Sequence, residues 1–159
     1  AQLGLAAVPD GLWPPQNDTR VKAVVALAPD GDIWGAHYEG VAAVKVPTLV
    51  MTGGGDTINI PERCAYPIYQ HLGSPQKTLV TFAYANHMIF GDQVRTLPWM
   101  AGDSFWVTDQ VWDMDRAHDL IDHFVTAFLL STLKGDPAAT EALSPENVTF
   151  PGIQYETTA

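Results

Sequence analysis

The run Pro47-Thr48-Leu49-Val50-Met51-Thr52-Gly53-Gly54-Gly55-Asp56 constrains this chain more than any other stretch. Its apolar part predicts a buried strand. The three glycines let the backbone turn sharply and leave one carboxylate at the rim of a sheet. A second run, Lys77-Thr78-Leu79-Val80-Thr81-Phe82-Ala83-Tyr84, is followed at once by Ala85-Asn86-His87. Two neighbouring strands, over 46–52 and 78–84, then offer an Asp and a His at the same edge. Asp56 and His87 in that order match the acid and base of a nucleophile-His-acid triad. There the carboxylate fixes the imidazole tautomer and the imidazole takes a proton from a nucleophile.

With 159 residues, 47% of them hydrophobic and 16% charged, the chain is long enough to bury the core of one globular domain. Eight basic against eighteen acidic residues leave a net charge of −10, so a phosphate-binding surface would be built against the overall field and nucleic acid is not an expected partner. The single cysteine, Cys64, excludes an internal disulfide and fits no zinc spacing. It does not decide the compartment, and a secreted or periplasmic setting is slightly favoured. No run approaches the roughly 18 to 20 apolar residues of a membrane span, and no basic segment followed by an apolar one opens the chain. The start, Ala1-Gln2-Leu3-Gly4-Leu5, reads as the middle of something longer, with any signal peptide absent or already removed.

Residues 1–20 are rich in Pro, Gly and Asn, and Trp13-Pro14-Pro15 can be neither helix nor central strand, which predicts an exposed segment. The sequence Val21-Lys22-Ala23-Val24-Val25-Ala26-Leu27-Ala28 is almost wholly apolar and predicts a strand covered on both faces. Just past its end, Trp34 and Tyr38 stand where open parallel sheets place ligands. They either line a pocket or simply cover the core. Pro61 suits the first turn of a helix over 62–72, which Pro67 should keep short or break. After His87 and Met88 comes an irregular aromatic stretch over 91–115, including Trp99, Trp106 and Trp112, that either forms a lid over the rim or packs in the core.

The clearest helix runs from Asp113 to Lys134, with Ala117, Leu120, Ile121, Phe124, Phe128 and Leu129 on one face, acidic residues near its start and Lys134-Gly135 at its end. Residues 138–159 read as a surface-packed tail. The glycine triplet lacks the G-x-G-x-x-G spacing and the P-loop Lys, so no nucleotide and no other cofactor is expected. His118, Asp119, Asp122 and His123 flank the apolar stripe of the helix as a solvated charged face, and no metal is assigned to them. Gly102-Asp103-Ser104 with Asp115-Arg116-Ala117-His118 imitates the Ser and D-x-x-H of a hydrolase signature, but lies in the lid-like stretch and a helix start, outside that signature's usual layout. The sequons at Asn17 and Asn147 carry meaning only in a secreting eukaryotic cell.

Four segments together resemble the C-terminal half of an α/β-hydrolase. They are Val21 to Pro29, Val46 to Gly53, Ala85-Asn86-His87, and His123-Phe124-Val125-Thr126-Ala127-Phe128-Leu129 through to Lys134-Gly135-Asp136. The likeness is greatest to dienelactone-hydrolase and platelet-activating-factor-acetylhydrolase-like esterases. It covers roughly 20–137 and rests on the order of strands, acid, base and last helix. The resemblance implies parallel strands with flanking helices over 21–137, carboxylic ester hydrolysis by an acyl-enzyme route, Asp56 as orienting acid and His87 as general base. By analogy Met88, the residue after the His, sits close to the leaving group. Trp34, past the end of the first strand, and Trp106, in the aromatic stretch after the His, are expected beside the substrate from their placement. No G-x-S-x-G or G-x-C-x-G elbow occurs at Ser74, Ser104, Ser131, Ser144 or Cys64. The nucleophile and oxyanion hole are therefore expected on a separate chain, the N-terminal half of the same hydrolase, without which this one is inert. The rival expectation is a non-catalytic α/β module in which Asp56 and His87 merely cap their strands and the aromatic stretch binds a partner protein.

Overall fold

A computed structural model describes residues 18–31, 38–91 and 108–158. Its frame is a mixed four-stranded sheet of order β1-β2-β3-β4, made by Val24–Leu27, Thr48–Gly53, Lys77–Phe82 and Ile153–Thr157. The first three strands are parallel, with Val24 opposite Thr48 and Thr48 opposite Lys77. The last is antiparallel, with Phe82 opposite Ile153. Helices flank this sheet: α1 (Glu39–Ala42), α2 (Ala65–His71), α3 (Met114–Lys134) and α4 (Pro137–Ala142). The class is α/β, as the alternation of apolar runs and helical patterns predicts.

Strand β2 is buried along its whole length because both edges are paired and both faces are covered. Leu49 and Met51 join Val80, Phe82 and the α3 residues Ala117, Leu120, Ile121, Phe124 and Phe128 in one core. Val50 and Leu79, turned the other way by the two-residue period, pack with Val41, Ala65, Ile68, Tyr69 and Leu72 in a second. A strand buried on both sides has no solvent-facing side, which is why 49–51 reads as an unbroken apolar run between two buried threonines.

The α3 boundaries follow their caps. Asp113 accepts a hydrogen bond from the Arg116 N–H at 2.9 Å, and Gly135 takes the left-handed conformation, φ 64°, that ends the helix without a Cβ clash. Asp136 then caps α4 through Ala139 N–H, with Pro137 in the first turn. No described helix is long and apolar enough to cross a membrane.

Several elements differ from the sequence expectation. Among the described residues, strand β1 is not covered on both faces. It pairs with β2 alone among the described residues, Val24 to Ala26 are half-buried and Leu27 is 41% exposed, so it is an edge of the described sheet. Strand β3 ends at Phe82, not Tyr84, because Ala85 N–H bonds back to the Phe82 carbonyl and Tyr84 turns to φ 61°. Helix α2 begins only at Ala65, after a turn over 61–64, and stays unbroken because Pro67 falls in its first turn, where no intrahelical N–H bond is lost. The tail does more than pack on the surface: it supplies α4 and the edge strand β4, whose Tyr155 stacks on Phe124 and whose hydroxyl donates to the Leu143 carbonyl at 2.7 Å. Residues 1–17 and 92–107, which hold most of the exposed N-terminal segment and of the lid-like stretch, lie outside the described residues.

Candidate active site

Asp56 and His87 meet at the C-terminal ends of β2 and β3. The glycine triplet brings this about by close approach. Gly54 N–H extends the ladder to the Phe82 carbonyl at 2.8 Å, and Gly55 N–H reaches the Ala85 carbonyl at 2.9 Å. A Cβ on Gly53 would lie 2.5 Å from the Ala85 oxygen, and one on Gly55 would lie 2.7 Å from the Tyr84 oxygen. Glycine is thus required so that the loop after β2 can press against the loop after β3.

The carboxylate of Asp56 is 3% exposed and fully engaged. Its Oδ1 accepts from the Ile58 and Asn59 N–H groups at 2.8 and 2.9 Å, a local turn that fixes the side chain. Its Oδ2 faces His87 Nδ1 at 2.8 Å, across 31 residues of sequence. The imidazole is 29% exposed at the side chain, so the pair has a buried acid and a reachable ring. With Nδ1–H donating to a carboxylate, the lone pair belongs to Nε2, and the imidazolium formed when Nε2 takes a proton has its countercharge in place.

Neighbouring loops hold this pair. His87 opens a 3-10 turn, His87–Phe90, capped by Asn86, whose Oδ1 accepts from Met88 N–H at 2.7 Å. The Asn86 main-chain N–H donates to Asp109 Oδ2 at 2.6 Å, and its side-chain amide reaches the Thr108 carbonyl at 3.3 Å. Trp112 Nε1–H donates to the Ala83 carbonyl at 2.9 Å and its ring packs edge-on to Phe82. Beyond Asp56, Asn59 ties the acid loop to the end of β1 through a 2.6 Å bond to the Ala28 carbonyl. None of Asn59, Asn86, Asp109 and Trp112 was an expected site residue. Asn86 had a signal, adjacency to His87, whereas Asp109 had none.

No protein-family model matches the chain, and a search of characterised proteins returns no match. Geometry therefore carries the functional reading.

Among the expected substrate-side residues, Met88 sits beside His87, half-buried and bonded through its main chain to Asn86 and Gly91. Trp34 and Trp106 lie outside the described residues, as does Ser104. Tyr38 stacks on His71 at 4.5 Å against the second core, so of its two readings it takes the covering role. His118 bonds the Gly91 carbonyl at 3.0 Å, at the far end of the His87 turn, and the His123 ring packs edge-on to Phe124 and Phe150. No group of three or more His, Cys, Asp or Glu side chains converges among the described residues.

Two clefts of about 290 and 350 Å³ open elsewhere, one between α3, α4 and β4 and the other beside Tyr66, Tyr69 and Glu156. Neither is lined by Asp56 or His87. The chemistry of the Asp56–His87 pair, and neither of these clefts, marks the candidate site.

Proposed function

We propose that this chain supplies the acid and base of a serine-type carboxylic ester hydrolase of the α/β-hydrolase kind. The 2.8 Å bond from His87 Nδ1 to the buried Asp56 Oδ2, at the ends of adjacent parallel strands, carries the reading. In this reading the nucleophile and oxyanion donors come from the N-terminal half of the same fold. The half-buried apolar strand β1, paired on one side only among the described residues, supports a companion strand at that edge.

In this reading His87 Nε2 accepts the proton of the incoming nucleophile as its oxygen or sulfur attacks the ester carbonyl carbon. Asp56 holds the tautomer and stabilises the imidazolium. Nε2 then gives that proton to the departing alkoxide as the C–O bond breaks, leaving an acyl-enzyme. Water repeats the sequence, with Nε2 taking its proton and returning it to the leaving nucleophile, to release the acid.

Turnover of a p-nitrophenyl ester by the natively purified protein tests this. The expected outcome is a fluorophosphonate- or iodoacetamide-reactive Ser or Cys in the part of the hydrolase that completes the fold, with His87→Ala abolishing turnover while the circular dichroism spectrum is unchanged. Turnover that survives His87→Ala overturns His87 as the base, and a folded protein with neither turnover nor a reactive Ser or Cys leaves the non-catalytic α/β binding module.

A further inference from the structure

We propose that Asp109 is a positioning residue for His87, clamping the backbone that presents the imidazole to Asp56. Its two carboxylate oxygens do different work. Oδ1 accepts from the Val111 and Trp112 N–H groups at 2.8 and 2.7 Å, a local turn leading into α3. A role confined to the approach to α3 would end there. Oδ2 instead accepts from the main-chain N–H of Asn86, the residue directly before the candidate base, at 2.6 Å and across 23 residues of sequence. The side chain is only 8% exposed, and three N–H donors satisfy it as a carboxylate.

The same segment grips this loop at two further points. The Thr108 carbonyl accepts from the Asn86 amide, and the Trp112 indole donates to the Ala83 carbonyl. From the opposite side Gly55 N–H holds the Ala85 carbonyl. Residues 83–86 are thus fixed between the acid loop and the residues preceding α3, and His87 leaves that clamp with little freedom to move away from Asp56. A displacement of about 1 Å at a reacting group costs roughly a hundredfold in rate, so such a clamp belongs to the function of the base as well as to the fold.

The inference takes from the proposed function the role of His87 as base, but its readout is the Asp56–His87 bond itself. Turnover lost with that bond intact counts against the esterase reading alone. The test is Asp109→Asn in the natively purified protein. The asparagine carbonyl oxygen can still accept from Val111 and Trp112, while its NH₂ group opposes the Asn86 N–H. The His87 Nδ1 proton, hydrogen-bonded to a buried carboxylate, gives a low-field NMR resonance. In Asp109→Asn that resonance is expected to broaden or vanish, and exchange with water to quicken on the order of tenfold, the scale of one lost hydrogen bond. Asp113→Ala is the control: it removes the N-cap of α3 without touching Asn86, and should destabilise the fold while leaving the resonance as it was. An unchanged resonance and exchange rate in Asp109→Asn overturns the proposal, as does an equal change in Asp113→Ala. If Asp109→Asn does not fold, exchange in the unsubstituted protein decides. Asn86 N–H and His87 Nδ1–H opening in one event supports the clamp, and Asn86 opening while His87 stays protected overturns it.

Discussion

Gly53 lies so near the main chain of Ala85 that a Cβ would come within 2.5 Å of its carbonyl oxygen. That oxygen is also the acceptor for Gly55 N–H, so the two loops that carry the acid and the base are in contact through bare backbone. Gly53→Ala must push them apart. We expect a loss of about 1–3 kcal/mol in folding stability, from overpacking against backbone that has no rotamer to yield, and weakening of the Asp56–His87 bond with it. Urea unfolding checks the first, and a midpoint equal to that of the unsubstituted protein would refute it.

Asp56→Asn keeps the shape of the acid but removes its charge and presents an N–H₂ or a weaker acceptor to His87. On the proposed function, kcat for ester hydrolysis is expected to fall by about 10⁴, because the imidazole loses both its tautomer and its countercharge. Stability should change less than activity. Equal turnover in Asp56→Asn and the unsubstituted protein would remove Asp56 from the mechanism.

Asn59→Ala deletes the 2.6 Å bond to the Ala28 carbonyl while leaving the Asn59 main-chain N–H on Asp56 in place. Ala28 itself sits at φ 43°, a conformation that needs support. A loss of about 1 kcal/mol is expected in chemical denaturation, with the Asp56–His87 resonance retained. Loss of that resonance would mean that the bond to β1 sets the position of the acid, a larger role than the geometry assigns.

Much of this arrangement is legible in the sequence, and the parts that are not have a common cause. A strand buried on both faces leaves an apolar run, and a helix on a core leaves a three-to-four spacing. Residues 49–51 and the α3 stripe show these patterns, and the Asp and His at the strand ends follow from them. Strand β4 also has a pattern, Ile153-Gln154-Tyr155-Glu156-Thr157, with alternate residues turned to Phe124 and to the outside, but five residues at an edge are too few to stand out beside a turn at Pro151-Gly152. Asp109 leaves no trace at all, since a carboxylate accepting from a distant main-chain N–H imposes no periodicity and no residue type on its partner.

Burial, and after it the Glu156 carboxylate, raises the Tyr69 phenol to about 12 from an ordinary 10.0. A phenol whose folded pKa lies above its unfolded one stabilises the fold fully below the lower value, and loses that contribution as pH rises through the upper one. Unfolding free energy should therefore fall between about pH 10 and about pH 12, with a shallower fall in Tyr69→Phe. Burial raises the Tyr155 phenol as well, so part of the slope should survive that substitution. Denaturant titrations at successive pH values check this, and an identical slope in Tyr69→Phe would assign the alkaline loss elsewhere.

The acid and base stand at the ends of strands that are immediate neighbours, with Gly53 opposite Phe82 in the last rung of the ladder. Their meeting is a by-product of strand pairing and asks for no hinge, closure or ligand. In kinetic terms, the pair is assembled by the pairing of β2 with β3 itself. On refolding, the Asp56–His87 bond should then appear together with the β2–β3 ladder, with no slower phase of its own.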